Sequence, residues 1–189
     1  MGANILKSIG IVPARAGSKR LPNKNMMKIN GVPLAMIAYD VLCNSGLDRV
    51  VVSTNIQKLY NMLNDDSRVW RKESLCSDDT YVQEAVKWTY NVACKPYEYD
   101  YIVMLMPNCP GVTSDDIRRS VDIMLKNSLT LVRSYDRAGV ENGLLVARRA
   151  YYMDHWMDTY VGGVTTGAME IHDADDFNIA KELLEVQRK

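Results

Sequence analysis

No segment of this 189-residue chain approaches the roughly 18 consecutive apolar residues of a membrane-spanning helix. Nor does either charge sign dominate: 23 Lys and Arg stand against 23 Asp and Glu. A balanced chain has no bulk attraction for nucleic acid or an anionic membrane, so neither is expected as a partner. The four cysteines, Cys43, Cys76, Cys94 and Cys109, include no C-x-x-C spacing. That argues against a zinc knuckle and a disulfide framework, and free thiols suit a reducing compartment. The first residues hold one lysine and a short apolar run ending at Pro13, unlike a signal peptide, so a cytoplasmic protein is expected. Repeats, low-complexity tracts and linkers are missing too. The length predicts a single domain with a full core.

What the chain does have is a cationic loop near its start. Residues 9–12 form a short apolar run of buried-strand length. Residues 13–25 then bring Pro, Gly and Asn, which are loop formers. Arg15, Lys19, Arg20 and Lys24 place four positive charges on that loop. Gly17 lets backbone approach a ligand, and Ser18 adds a hydroxyl donor. N–H groups and cations converging on oxygens are what a polyphosphate needs. The plainer alternative is a solvated basic loop; its place after the first strand of an α/β chain favours phosphate. No Gly-Lys-Ser/Thr closes the loop and no G-x-G-x-x-G occurs in it, which excludes the two commonest nucleotide loops.

Further along, Pro33 opens a helix with Leu34, Ile37, Ala38, Val41 and Leu42 at helical spacing and Gly46 as its C-cap. Residues 49–53 read as a buried strand ended by Thr54 and Asn55, residues 57–63 as a helix, and Val69-Trp70 as a brief strand. Ser77, Asp78 and Asp79 offer caps to a helix with Val82, Ala85, Val86, Thr89 and Ala93 on one face. Residues 101–106 are a strand, 107–111 a loop, and Thr113 caps a helix burying Ile117, Val121, Met124 and Leu125. Residues 129–132, 144–147 and 169–171 read as strands. Asp175 and Asp176 open a last helix with Phe177, Ala180, Leu183 and Leu184 inward. Strands alternating with helices predict an α/β, Rossmann-like three-layer sandwich with a mostly parallel sheet. Ligands in such sheets bind beyond the carboxyl ends of the strands. That singles out the loop after Val12, Thr54-Asn55, the 107–111 loop and the residues after Ile171. Tyr151, Tyr152, His155, Trp156 and Tyr160 form an aromatic stretch suited to core, pocket or subunit interface.

The loop P-A-R-A-G-S-K-R-L-P-N-K-N resembles the signature of the cytidylyltransferases that activate acidic sugars, above all the CMP-sialic acid synthetase (acylneuraminate cytidylyltransferase) family. Val51 to Asn55 resembles its V-S-T-D. Arg71 with Leu75, Ser77 and Asp78 resembles R-P-x-x-L-A-S-D, and Met104 to Pro110 resembles L-L-Q-P-T-S-P. Asn142-Gly143 resembles its N-G strand, and Glu170 to Asp176 its late D-I-D motif with the helix after it. The resemblance implies a nucleotidyltransferase fold and a reaction in which a sugar hydroxyl attacks the α-phosphate of CTP and pyrophosphate leaves, assisted by Mg²⁺ or Mn²⁺. Its partners would be CTP and a sugar acid, and a homodimer is the family habit. It implies Arg15 and Lys24 as the catalytic cations, Arg15, Ser18, Lys24 and Asn25 on the nucleotide, and Arg71, Ser77 and Thr80 near base and ribose. Ser77 has the alternative of a plain helix cap, and Arg20 that of a solvated charge.

Four departures stand out. The metal carboxylates of D-I-D fall on Glu170 and His172, with Asp173 one position on; imidazole suits softer metals than Mg²⁺. Alternatively His172 just ends a strand, with Glu170 binding metal alone or not at all. Asn55 replaces an Asp. Met106 replaces a Gln that holds the sugar, and core burial is the favoured role for its thioether. Only about ten residues separate the 129–132 strand from Asn142-Gly143, where the family inserts a dimerisation and sugar-binding segment, and Val140-Glu141 stand where the family has Arg-Pro. The expected function is CMP transfer from CTP to an acidic sugar. Its alternatives are a catalytically weakened homologue that binds a nucleotide or a partner protein, and a nucleotidyltransferase using another base.

Overall fold

The computed structural model describes residues 6–149, 151 and 160–186. At its centre lies β1 (Ser8–Ala14), with all seven residues buried. It pairs in parallel with β4 (Arg49–Thr54) on one side and β6 (Tyr101–Leu105) on the other. Continuous apolar runs are what strands covered on both faces require. The sheet extends outward through β5 (Arg68–Trp70), β7 (Leu131–Tyr135), β8 (Glu141–Arg148) and β9 (Val161–Thr165), in the order β5-β4-β1-β6-β8-β7-β9. Only β8 runs against the others, pairing antiparallel with both β6 and β7. A two-stranded hairpin, β2 (Lys28–Ile29) and β3 (Val32–Pro33), follows the first loop.

Period-two alternation divides the core between the two sheet faces. Val12, Ala14, Val52 and Val103 face one way, against α1 (Leu34–Cys43) and α4 (Ser114–Lys126). Ile9, Ile11, Val51 and Ile102 face the other, against α3 (Val82–Ala93). Each fully buried aliphatic side chain contributes about 1.5–3 kcal/mol. α5 (Ala174–Val186) seats Phe177 and Ala180 in a third cluster with Leu21, Ile29, Leu34 and Ile171. Thr113 caps α4 through a capping box with Asp116, as its sequence predicts. Among the described residues, no helix is long and apolar enough to cross a membrane.

Several elements differ from the sequence expectations. Residues 169–171 are not a strand; the last strand is β9, which pairs with β7. Ile171 is drawn instead into the apolar cluster under α5. The helix expected over 57–63 stops at Tyr60 as α2 (Gln57–Tyr60). β7 starts two residues later than expected and β8 three residues earlier. Ser77 is no helix cap, since α3 starts at Val82 without a side-chain cap. Leu183 is 54% exposed rather than inward. Tyr151 is buried against the α3 face and Tyr160 is exposed. Tyr152, His155 and Trp156 lie outside the described residues.

Candidate active site

β1, β4 and β6 end side by side, so the segments that follow Ala14, Thr54 and Leu105 converge at one edge of the sheet. There they frame a cleft of about 230 Å³. Arg15, Ser18, Lys24 and Asn25 line it from the first loop, Arg71 and Thr80 from beyond β5, and Met106 and Asn108 from the loop after β6.

The first loop is braced from within. The Nδ2 group of Asn25, itself buried, donates to the carbonyl of Arg15 at 2.8 Å. The Ala16 N–H donates to Asn55 Oδ1 at 2.7 Å, so the residue that replaces an acidic one ties the end of β4 to the loop as an acceptor. Gly17, at φ +81°, makes a turn that a side chain rarely adopts. It lets Arg15 Nη1 reach the carbonyls of Ala16 and Gly17 at 3.2 and 3.3 Å, and that of Cys76 at 3.2 Å. The other amino group of Arg15 is paired with Asp78, which also takes Lys19 Nζ at 2.7 Å. Ser18 is half-exposed in the cleft wall, and Arg20 is exposed.

Arg71 forms the floor at the other end. It is 3% exposed, with Nε 3.2 Å from Ser53 Oγ and Nη2 3.0 Å from the Ser53 carbonyl. Burial pushes its pKa down to about 10, which leaves the guanidinium charged at neutral pH. Thr80 lines the cleft; its hydroxyl is 3.0 Å from that of Ser77, which is exposed and stands outside the lining.

Lys24 joins the cationic loop to the acidic segment before α5. Its Nζ donates to the Ile171 carbonyl at 3.0 Å. Burial holds its pKa below that of an ordinary lysine, and the nearby Glu170 carboxylate partly offsets this. Asn108 Nδ2 donates to Glu170 Oε1 at 2.6 Å, and the Ile171 N–H donates to the Asn108 carbonyl at 2.8 Å. His172 lies between two carboxylates, with Nε2 3.5 Å from Glu170 Oε2 and Nδ1 3.4 Å from Asp176 Oδ2. Asp173 Oδ1 accepts from the N–H groups of Asp175 and Asp176 at 3.0 Å each, which is the work of a helix cap. The structure thus brings Glu170 and His172 together and turns Asp173 to α5.

Among the described residues, no group of three or more His, Cys, Asp or Glu is arranged to hold a metal ion. Mg²⁺ takes hard oxygens, often one or two carboxylates completed by water and phosphate. Glu170 suits that mode as a single ligand; the imidazole of His172 and the capping carboxylate of Asp173 do not.

Two features escaped the sequence. Asn108 is 5% exposed and holds Glu170, yet its Oδ1 is buried without a hydrogen-bond partner. Met106 is half-buried: it packs against the core face under α3, as expected, and also lines the cleft. It sits there because Gly143 in β8 has no side chain: a Cβ would lie 2.5 Å from Met106 Cβ and 3.0 Å from Cys109 Sγ. Cys109 accepts the Gly143 N–H at 3.1 Å, and burial raises its thiol to about 12. The strand-end rule indicated this loop but not these contacts.

A family model described as cytidylyltransferase matches residues 9–161. The chain is 29% identical over 125 residues to CMP-N,N'-diacetyllegionaminic acid synthase of Legionella pneumophila, covering 62% of this chain and 53% of that protein. It is 27% identical over 130 residues to a pseudaminic acid cytidylyltransferase of Campylobacter jejuni, covering 65% and 55%. These matches span about half the length of the curated relatives. Among solved structures, a CMP:2-keto-3-deoxy-manno-octonic acid synthetase complexed with CTP superposes with a TM-score of 0.78 at 14% identity, covering 96% of this chain and 99% of that one. Rv0371c of Mycobacterium tuberculosis, complexed with manganese, does so with a TM-score of 0.69 at 15% identity, covering 93% and 98%. At such identities the superpositions establish a shared nucleotidyltransferase fold.

Proposed function

Because this chain belongs to the cytidylyltransferase family, we propose that it transfers CMP from CTP to a hydroxyl of an acidic sugar and releases pyrophosphate. One observation carries the proposal: Arg15, Ser18, Lys24 and Asn25 share a single cleft with Arg71 and Thr80, and Lys24 bridges it to the segment bearing Glu170. The names of the curated relatives, which activate legionaminic and pseudaminic acids, support an acidic-sugar acceptor.

Nucleotidyl transfer is mostly positioning and charge stabilisation. Lys24, half-buried, offers a point charge to the phosphate oxygens and the departing pyrophosphate. Arg15 offers a planar fork matched to two phosphate oxygens. Ser18 and the N–H groups around Gly17 add donors, while Asn25 holds the loop in shape. The rigid, charged floor at Arg71 and the Thr80 hydroxyl face the nucleoside; Ser77 reaches it only through Thr80. Glu170, held by Asn108, would bind a divalent ion, Mg²⁺ or Mn²⁺, together with the nucleotide's own phosphates. When bound, that ion supplies neutralisation of phosphate charge. A cytoplasmic single-domain protein completes the proposal; its oligomeric state stays open, since the segment through which the family commonly dimerises is lacking between the 129–132 strand and Asn142.

A pyrophosphate-release screen of the purified protein, with the four NTPs against a panel of sugar acids, tests it. CTP-specific release that fails in Lys24→Ala supports the proposal. The imidazole of His172, standing where the family has a metal carboxylate, favours a second reading, a nucleotide- or partner-binding homologue with weakened catalysis. Calorimetric CTP binding without turnover on any sugar acid selects that one. Light scattering decides between monomer and homodimer.

A further inference from the structure

Beside the cleft lies a polar hollow of about 390 Å³ that shares Arg15, Ser18, Lys24 and the carboxylate of Asp78 with it and is completed by Lys19, Arg20 and Leu21. Asp78 is paired at once with Arg15 and Lys19. Lys19 first, then Arg15, holds its carboxyl below the usual carboxylate range. Arg15 is tied to the same segment a second time, through the Cys76 carbonyl. Residues 76–80 make no regular element: Ser77 and Thr80 close a turn through their hydroxyls, and Asp78 projects from it. The cation best shaped for phosphate therefore already holds an anion that belongs to the chain. An exposed carboxylate paired in this way is held weakly, and a polyphosphate brings several negative charges to the same cations.

We propose that Asp78 is an internal counter-ion that polyphosphate displaces from Arg15 and Lys19, and that residues 76–80 are a strap released by this exchange. The inference rests on reading the first loop as a phosphate cradle. Its consequence is a reduced apparent affinity: only the fraction of molecules with Arg15 and Lys19 unlatched accepts phosphate. Release also frees the turn that carries Thr80 in the cleft wall, so phosphate arrival is coupled to the nucleoside end of the site.

The test uses inorganic tripolyphosphate as probe, with calorimetry on the intact protein at low ionic strength. Asp78→Asn is compared with Asp79→Asn, which removes the same charge one residue away from a side chain that forms no ion pair with Arg15 or Lys19 and acts on Lys19 only weakly through space. Asp78→Asn is expected to bind about three- to tenfold tighter than wild type, and Asp79→Asn within about twofold. Amide hydrogen exchange across residues 76–80 of the wild type should speed up on saturation with tripolyphosphate. Binding by Asp78→Asn no tighter than by Asp79→Asn overturns the proposal, as does exchange that slows or stays the same. If tripolyphosphate binds none of the three proteins, the phosphate cradle falls as well. If Asp78→Asn binds tighter but no sugar acid is ever turned over, the counter-ion stands and only the transferase reading is lost.

Discussion

On one rim of the cleft, four cations hang within ten residues of a loop held largely by polar contacts. On the other, the acidic side chains are already engaged: Glu170 with Asn108 and His172, Asp173 with the first turn of α5, Asp176 with the His172 N–H at 2.8 Å. The cations are engaged too, Arg15 and Lys19 with Asp78 and Lys24 with the Ile171 carbonyl, but four cations against one paired carboxylate leave this rim a surplus of positive charge to offer a ligand. The acidic rim spends most of its charge on holding the segment after β9 against the loop after β6. Substrate affinity and phosphate stabilisation should therefore depend more on the first rim than on the second. The largest expected effect tests this directly. Lys24→Ala should lower kcat/KM by about 10²- to 10³-fold, the scale for losing one preorganised charge in a partly desolvated site. Glu170→Gln should cost less, about ten- to a hundredfold. Steady-state pyrophosphate release checks both, and an equal or larger loss for Glu170→Gln reverses the ranking.

The floor between the rims is a matter of packing. Gly143→Ala would force a methyl to within 2.5 Å of Met106 Cβ, inside a strand pair that has no room to open. Overpacking of this kind costs about 1–3 kcal/mol, readable as a lowered denaturation midpoint with an unchanged m-value. Met106 and Asn108 move with that floor, so KM for CTP should rise too. A fully stable, fully active Gly143→Ala protein would show that the floor does not couple the two rims.

The difference between the rims also marks what the residue order could reveal. β1, β4 and β6 were legible as continuous apolar runs, and the loop after β1 by its Pro, Gly and cations; both are local patterns. The capping box of α4 lies within four residues. β9 was missed because Gly162 and Gly163 dilute its apolar pattern at an edge position. Residues 169–171 were misread because Ile171 is apolar for a different reason: it plugs the cluster of Leu21, Leu34 and Phe177. Asn108 and Asp78 reach their partners across 62 and 63 residues, separations at which no spacing rule operates. The cationic rim was legible because residue type alone defines it. The acidic rim was legible only in part: the residues after Ile171 were indicated by position, but Glu170 takes its hold from Asn108 across the fold, while Asp173 and Asp176 are occupied by local backbone N–H groups.

Asp173→Ala sharpens the contrast at a smaller scale. Losing a helix cap costs about 1 kcal/mol of stability. A thermal melt should show the loss, while turnover per folded molecule stays close to wild type. Turnover that collapses instead would show that Asp173 serves the ligand as well as α5, and that the acidic rim has charge to spare.

The smallest effect is one of pH. Burial lowers the pKa of Lys24, so its ammonium is lost at a lower pH than that of a free lysine. Two consequences of opposite sign follow. In the empty protein the depressed pKa is a cost of burying the charge, fully present below the folded pKa. Between the folded pKa and the unfolded value the unfolded chain binds more protons, so stability rises slightly with pH over that window. Nucleotide affinity moves the other way, because the neutral amine no longer attracts phosphate. KM for CTP should rise as the pH climbs through the range just below that in which a free lysine loses its proton. Arg71, pushed down to about 10 by burial, begins to titrate at the top of that range. Lys24→Arg isolates the lysine's share, since a guanidinium at that position stays charged. A KM profile identical in wild type and Lys24→Arg would mean that Lys24 does not touch phosphate, and the contrast between the rims would then rest on Arg15 alone.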